Sequence, residues 1–139
     1  MRRYLVVAHR TLGGSQLLDE IRRRVEAGSC QFHLVVPVYH PRDHRWTDHE
    51  VEAEAQRVLD TGTQRLRDLG AEEVTGEIGD ANPIYAIETA LRDHQCDEII
   101  VSTLPAGPSR WLKLDVPTRI AKEFKLPLTH VVAQPETVS

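Results

Sequence analysis

The residues best equipped for chemistry in this chain fall into three groups. His9 directly follows the apolar run Tyr4 to Ala8, with Thr11 two positions on. Ser102, Thr103, Gly107, Ser109 and Arg110 sit at and beyond the end of the run Glu98 to Ser102. His40, His44 and His49 are interleaved with Asp43 and Asp48. An imidazole titrates near neutral pH, so His9 could be a pH-sensitive ligand contact or a general base. No nucleophile or carboxylate partner is recognisable by spacing, and a hydrogen-bonded loop histidine accounts for it equally well.

The hydroxyls, glycine and arginine of the second group could cradle a small anion, helped by the amino end of a helix after Pro117. Pro105 and Pro108 also read simply as stiffeners of a loop in which Ser and Thr are common turn residues. The histidines and aspartates of the third group have the donor chemistry for zinc or another divalent ion. Their spacing matches no established metal pattern, and a polar loop entering an acidic helix explains them without one. Trp46 and Trp111 lie in the same two long loops, where indoles could close over a flat ligand or cap the core.

Something must position these groups. Tyr4 to Ala8, Phe32 to Val38 and Glu98 to Ser102 are short, nearly continuous apolar runs, the mark of strands covered on both faces. Glu73 to Ile78 is a more polar alternation suited to an edge strand, and Leu128 to Ala133 is a fifth strand. Between them, Leu17, Leu18, Ile21 and Val25 recur at helical spacing, as do Val51, Ala55, Val58, Leu59, Leu66 and Leu69, with Gly70 as the stop signal. Asn82 and Pro83 open a third helix, whose stripe is Ile84, Ile87, Ala90 and Leu91, and Asp115-Val-Pro117 opens a fourth. Asp19, Glu20, Arg22, Arg23 and Arg24 read as a solvated helix face, and Glu50, Glu52 and Glu54 as acids complementing a helix dipole.

Strands alternating with helices require a parallel sheet with helices on both faces, an α/β architecture. In such a sheet ligands bind outside the carboxyl ends of the strands, where strand order reverses. The loops after Ala8, Val38 and Ser102 are therefore the places for a site.

A chain of 139 residues supports one core and one domain. Apolar residues make up 40% and charged residues 27%, values of ordinary folded proteins. The formal charge of −4 comes with interleaved signs, so neither nucleic acid nor an anionic membrane is expected as a partner. No apolar stretch approaches the ~20 residues of a membrane span, and a cytoplasmic location is expected. Cys30 and Cys96 lie far apart, each before an apolar run, and read as two buried, reduced thiols.

In order and spacing, the chain resembles the universal stress protein family over nearly its whole length. The likeness rests on Tyr4 to Ala8, Phe32 to Val38, Asp80-Ala-Asn-Pro83 leading to Ile87, Asp97-Glu-Ile-Ile-Val101 and Pro127-Leu-Thr-His-Val-Val132. It implies a domain over residues 1–134 with a polar tail at 135–139, and an adenine-nucleotide alpha-hydrolase-like sheet in the order 3-2-1-4-5. It also implies a homodimer through the last strand, Leu128 to Val132, and ATP or another adenine nucleotide as ligand. Thr11 keeps a hydroxyl in the family's usual place, and Val38 matches the apolar residue near an adenine.

The nucleotide-binding branch of that family carries three glycines and then Ser or Thr at places that fall on Ser102, Pro105, Asp115 and Val116, and every one departs. Backbone N–H groups that glycines would turn toward phosphates are lost, and Pro105 has none to offer. The reading is a regulatory or small-ligand-binding homodimer with no defined reaction. The ligand is a small molecule or anion touching His9, Thr11, Val38, Ser102 and Thr103. Two alternatives stand beside it: weak adenine-nucleotide binding in that cleft, with or without slow hydrolysis, and metal binding by the His40 to His49 loop.

Overall fold

The computed structural model describes residues 1–9, 11–12, 14–39, 46–104, 111 and 115–133. Five strands form one parallel sheet: β1 Arg2–Val7, β2 Cys30–Pro37, β3 Glu73–Gly79, β4 Glu98–Thr103 and β5 Leu128–Val132. Their order is β3-β2-β1-β4-β5. Four helices lie between them among the described residues: α1 Ser15–Ala27, α2 Asp48–Asp68, α3 Pro83–Asp93 and α4 Val116–Phe124.

The continuous apolar runs become strands because both faces of the sheet are covered. Side chains alternate: Tyr4, Val6 and Ala8 pack with Phe32, Leu34 and Val36 under α1 and α2. Leu5, Val7 and Val35 pack with Ile99 and Val101 under α3 and α4. β1 starts at Arg2, two residues before the apolar run, because its ladder with β2 begins at Arg2↔Cys30 and backbone pairing is indifferent to side chain. β3 is an edge strand, as its polar alternation indicated.

Three of the helices show how the sequence sets their starts. At α2, Thr47 and Glu50 form a reciprocal capping box, with Glu50 N donating to Thr47 Oγ1 at 3.1 Å. Beyond its C-cap Leu69 the chain turns away at Gly70, whose φ of +98° suits a residue without Cβ. At α3, Asn82 Oδ1 accepts from Ile84 N at 2.9 Å, and Pro83 fills the first turn. Asp115 does stand at the N-cap of α4, but at φ 55° and without a side-chain cap bond, so its backbone supplies the turn.

Two expectations need correction. Arg24 does not belong to a solvated face: only 14% of its side chain is exposed. Its Nη1 donates to Glu20 Oε1 at 2.7 Å, and its Nη2 bonds Glu98 Oε2 and Thr129 Oγ1. Arg24 thus ties α1 to the amino end of β4 and to β5, with its guanidinium 5.4 Å from the Tyr4 ring centre. Cys30 is buried, but Cys96 is only half-buried. Both are free thiols, and burial together with the Asp97 charge pushes that of Cys96 up to about 11.

Candidate functional site

After β1 the chain turns twice: Leu12 N donates to His9 O at 3.2 Å and Gly14 N to Thr11 O at 2.9 Å. Leu12 anchors this loop by filling the space over Gly62 of α2, where a Cβ would stand 2.3 Å from Leu12 Cδ2. Glycine in mid-helix is unfavourable by itself, and here it admits the loop. His9 and Thr11 are consequently buried, and the His9 ring lies 5.8 Å from that of Tyr39.

Ser102 Oγ donates to Thr11 Oγ1 at 2.7 Å, joining the carboxyl ends of β4 and β1, the neighbouring strands at which the order reverses. Val38 is half-buried against the same core, its N–H donating to Gly79 O at 3.0 Å. Thr103 leaves the other face of the sheet: its Oγ1 is 2.8 Å from His130 Nε2. Thr11 and Ser102 therefore meet, His9 lies against Tyr39 and Val38 against the β3 end, while the Thr103 hydroxyl is directed elsewhere. Gly107, Ser109 and Arg110 lie outside the described residues, as do His40, Asp43 and His44. Asp48 and His49 are exposed on the first turn of α2, and Trp46 and Trp111 are half-buried, Trp111 against the α3–α4 core.

A second cluster had no forerunner in the sequence reading. His33 interrupts the buried run of β2, and its side chain is 7% exposed. Its Nδ1 lies 2.7 Å from Thr75 Oγ1 and its Nε2 lies 2.8 Å from Glu77 Oε2. The His94 ring at the end of α3 stacks on that of His33, with centres 3.7 Å apart. Burial pushes the His33 imidazole below its ordinary range; the Glu77 carboxylate opposes this and the nearby His94 adds to it. A cavity of about 220 Å³ adjoins the cluster, lined among others by Arg3, Glu73, Asp93, Gln95 and Cys96. It opens far from the Thr11–Ser102 pair. One signal was available: a histidine inside a strand buried on both faces must find polar partners.

No protein-family model and no curated protein matches the sequence. Solved structures do. A universal stress protein in complex with cAMP aligns over 96% of this chain and 98% of its own, at 16% identity and a TM-score of 0.63. A universal stress protein family member from Arabidopsis thaliana with AMP bound aligns over 96% and 93%, at 10% identity and 0.66. The universal stress protein from Archaeoglobus fulgidus in complex with dAMP aligns over 96% and 98%, at 13% identity and 0.53.

The sheet order and these alignments define an α/β fold built on a five-stranded parallel sheet in the order 3-2-1-4-5. Within that class, the chain has the fold of the universal stress proteins. No helix among the described residues is long and apolar enough to cross a membrane.

Proposed function

We propose that this chain is a universal stress protein that binds an adenine nucleoside monophosphate at the carboxyl ends of β1 and β4, and that it acts as a regulatory homodimer without chemistry of its own. The observation that carries this reading is the Ser102–Thr11 hydroxyl pair at the reversal of strand order. With Ser102 as donor, the Thr11 hydrogen remains for an acceptor on a ligand. Three structures of this fold are described with cAMP, AMP and dAMP, each carrying one phosphate. A triphosphate needs the further backbone donors that Pro105 and the absent glycines do not provide.

Calorimetric titration tests this. AMP should bind with a dissociation constant on the order of 0.1 mM or tighter, and ATP at least about tenfold more weakly. Thr11→Val should abolish AMP binding. Micromolar ATP binding, or AMP binding indifferent to Thr11→Val, would sink the reading.

The dimer interface is assigned to β5, an edge strand of the sheet. Ala133 N donates to Thr103 O and Ile99 N to Pro127 O, so odd-numbered β5 residues bond β4 and even-numbered ones direct their N–H groups outward. Val131 lies in the core at 8% exposure, so a charge there would damage folding before assembly. Val132→Pro removes an outward donor only. It should convert dimer to monomer in light scattering with the helical circular dichroism unchanged; a wild-type protein already monomeric at micromolar concentration would refute the assignment.

A further inference from the structure

We propose that His33, Glu77 and His94 form a binding site for one divalent transition-metal ion of the zinc class, with a further coordination position facing the adjoining cavity. One ligand atom from each residue lies within 4.8 Å of the other two. Glu77 Oε2 stands 2.8 Å from His33 Nε2 and 3.9 Å from His94 Nε2. Bonds of about 2.0–2.2 Å around a tetrahedral ion place neighbouring donor atoms roughly 3.2–3.6 Å apart, a spacing the two observed distances bracket. Two imidazoles and one carboxylate suit zinc or its neighbours and not calcium or magnesium, which take oxygen shells.

The surroundings support the same assignment. A histidine that binds metal through Nε2 must present a lone pair there and donate from Nδ1 to a fixed acceptor. Thr75 Oγ1 stands at that place, 2.7 Å from Nδ1. A hydroxyl both donates and accepts. Without metal, Thr75 can donate to Nδ1 while His33 Nε2–H donates to Glu77; with metal, the Thr75–His33 bond reverses, Nδ1–H donating to Oγ1, and the ion replaces the proton between Nε2 and Oε2. His94 must turn out of its stack on His33 to aim its lone pair, which a side chain 38% exposed at a helix end can do. Glu73 and Asp93 on the cavity wall outnumber the cation Arg3. Three protein ligands beside a cavity leave room for water or an anionic group as the fourth.

The test uses full-length protein stripped with chelator and dialysed. Titration with zinc should give one strong site, with a dissociation constant on the order of 1 µM or tighter. Cobalt at the same site should give the intense visible bands of four-coordinate ions. Glu77→Gln and His94→Ala, both at partly exposed positions, should each weaken binding at least about tenfold, and Thr75→Val, a positioning residue, by about tenfold. Urea midpoints close to wild type would show that these variants fold, and the joint Glu77→Gln, His94→Ala variant should bind no stoichiometric metal. Absence of a 1:1 complex in wild type overturns the proposal. So does binding that survives the double variant, above all if it then disappears on replacing His40, His44 and His49 by Gln.

Discussion

The two ends of the sheet are made by the same strands, yet they hold their polar groups by different means. Among the described residues, neutral hydrogen bonds join Ser102 to Thr11 and Thr103 to His130 at the carboxyl ends. At the amino ends the contacts are ionic and multiple: Arg24 meets Glu20, Glu98 and Thr129, Thr129 Oγ1 donates to Glu98 Oε2 at 2.8 Å, and Arg2 approaches Glu98 at 3.6 Å. A neutral hydrogen bond contributes only about 0.5–1.5 kcal/mol, so a ligand can take over a hydroxyl at small cost. Breaking a mostly buried ion pair leaves a charge stranded, at about 3–5 kcal/mol. The sheet is fastened at one end and left exchangeable at the other.

The largest effect expected from this contrast comes from Arg24→Met, which leaves Glu98 with Thr129 and the distant, exposed Arg2. Side-chain exposures of 14% and 13% let water relieve part of the penalty, so the loss should be about 3 kcal/mol, at the lower end of that range. Ser102→Ala, at the other end, should cost about 1 kcal/mol. Urea denaturation of the two variants measures the difference. Equal losses would mean that the ends are fastened alike.

The place where β1 and β4 diverge is legible in the sequence because it follows from chain direction. Apolar runs alternating with amphipathic helices fix a parallel sheet, and loops after β1 and β4 then converge with no knowledge of side-chain contacts. Asn82-Pro83 and Gly70 likewise act through their own backbone geometry, so their positions can be read locally. Arg24 could not be read this way. It shares charge and neighbourhood with Arg22 and Arg23, whose side chains are 53% and 70% exposed, and only packing of α1 against β4 and β5 separates them. The His33 cluster draws on β2, β3 and the end of α3. His33 faces Thr75 and Glu77 only in the register that pairs Leu34 with Gly76, which no local pattern encodes.

The smallest expected effect separates the two ends by pH. Burial holds the His130 imidazole below its ordinary value of 6.5. Above that value the ring is neutral whether the chain is folded or not; as pH falls, the unfolded ring takes a proton first, so stability is lost from 6.5 down to the folded value. At Glu98 burial pushes the carboxyl up, but hydrogen bonds from Arg24 and Thr129 and the charges of Arg24 and Arg2 outweigh it, leaving it below its ordinary 4.5. Its contribution is complete above 4.5 and is lost as pH falls through the lower folded value. Stability against pH should therefore decline in two windows, the upper one reporting the Thr103 end and the lower one the Arg24 end. His33, also lowered by burial, shares the upper window. His130 is an exposed strand residue, so its part of that slope is the minor one. In urea titrations at successive pH values, Glu98→Gln should flatten the lower window alone, and His130→Gln should reduce the upper slope without abolishing it. An upper slope unchanged in His130→Gln would show that burial at the Thr103 end does not hold the ring neutral, and the contrast between the two ends would then rest on Arg24 alone.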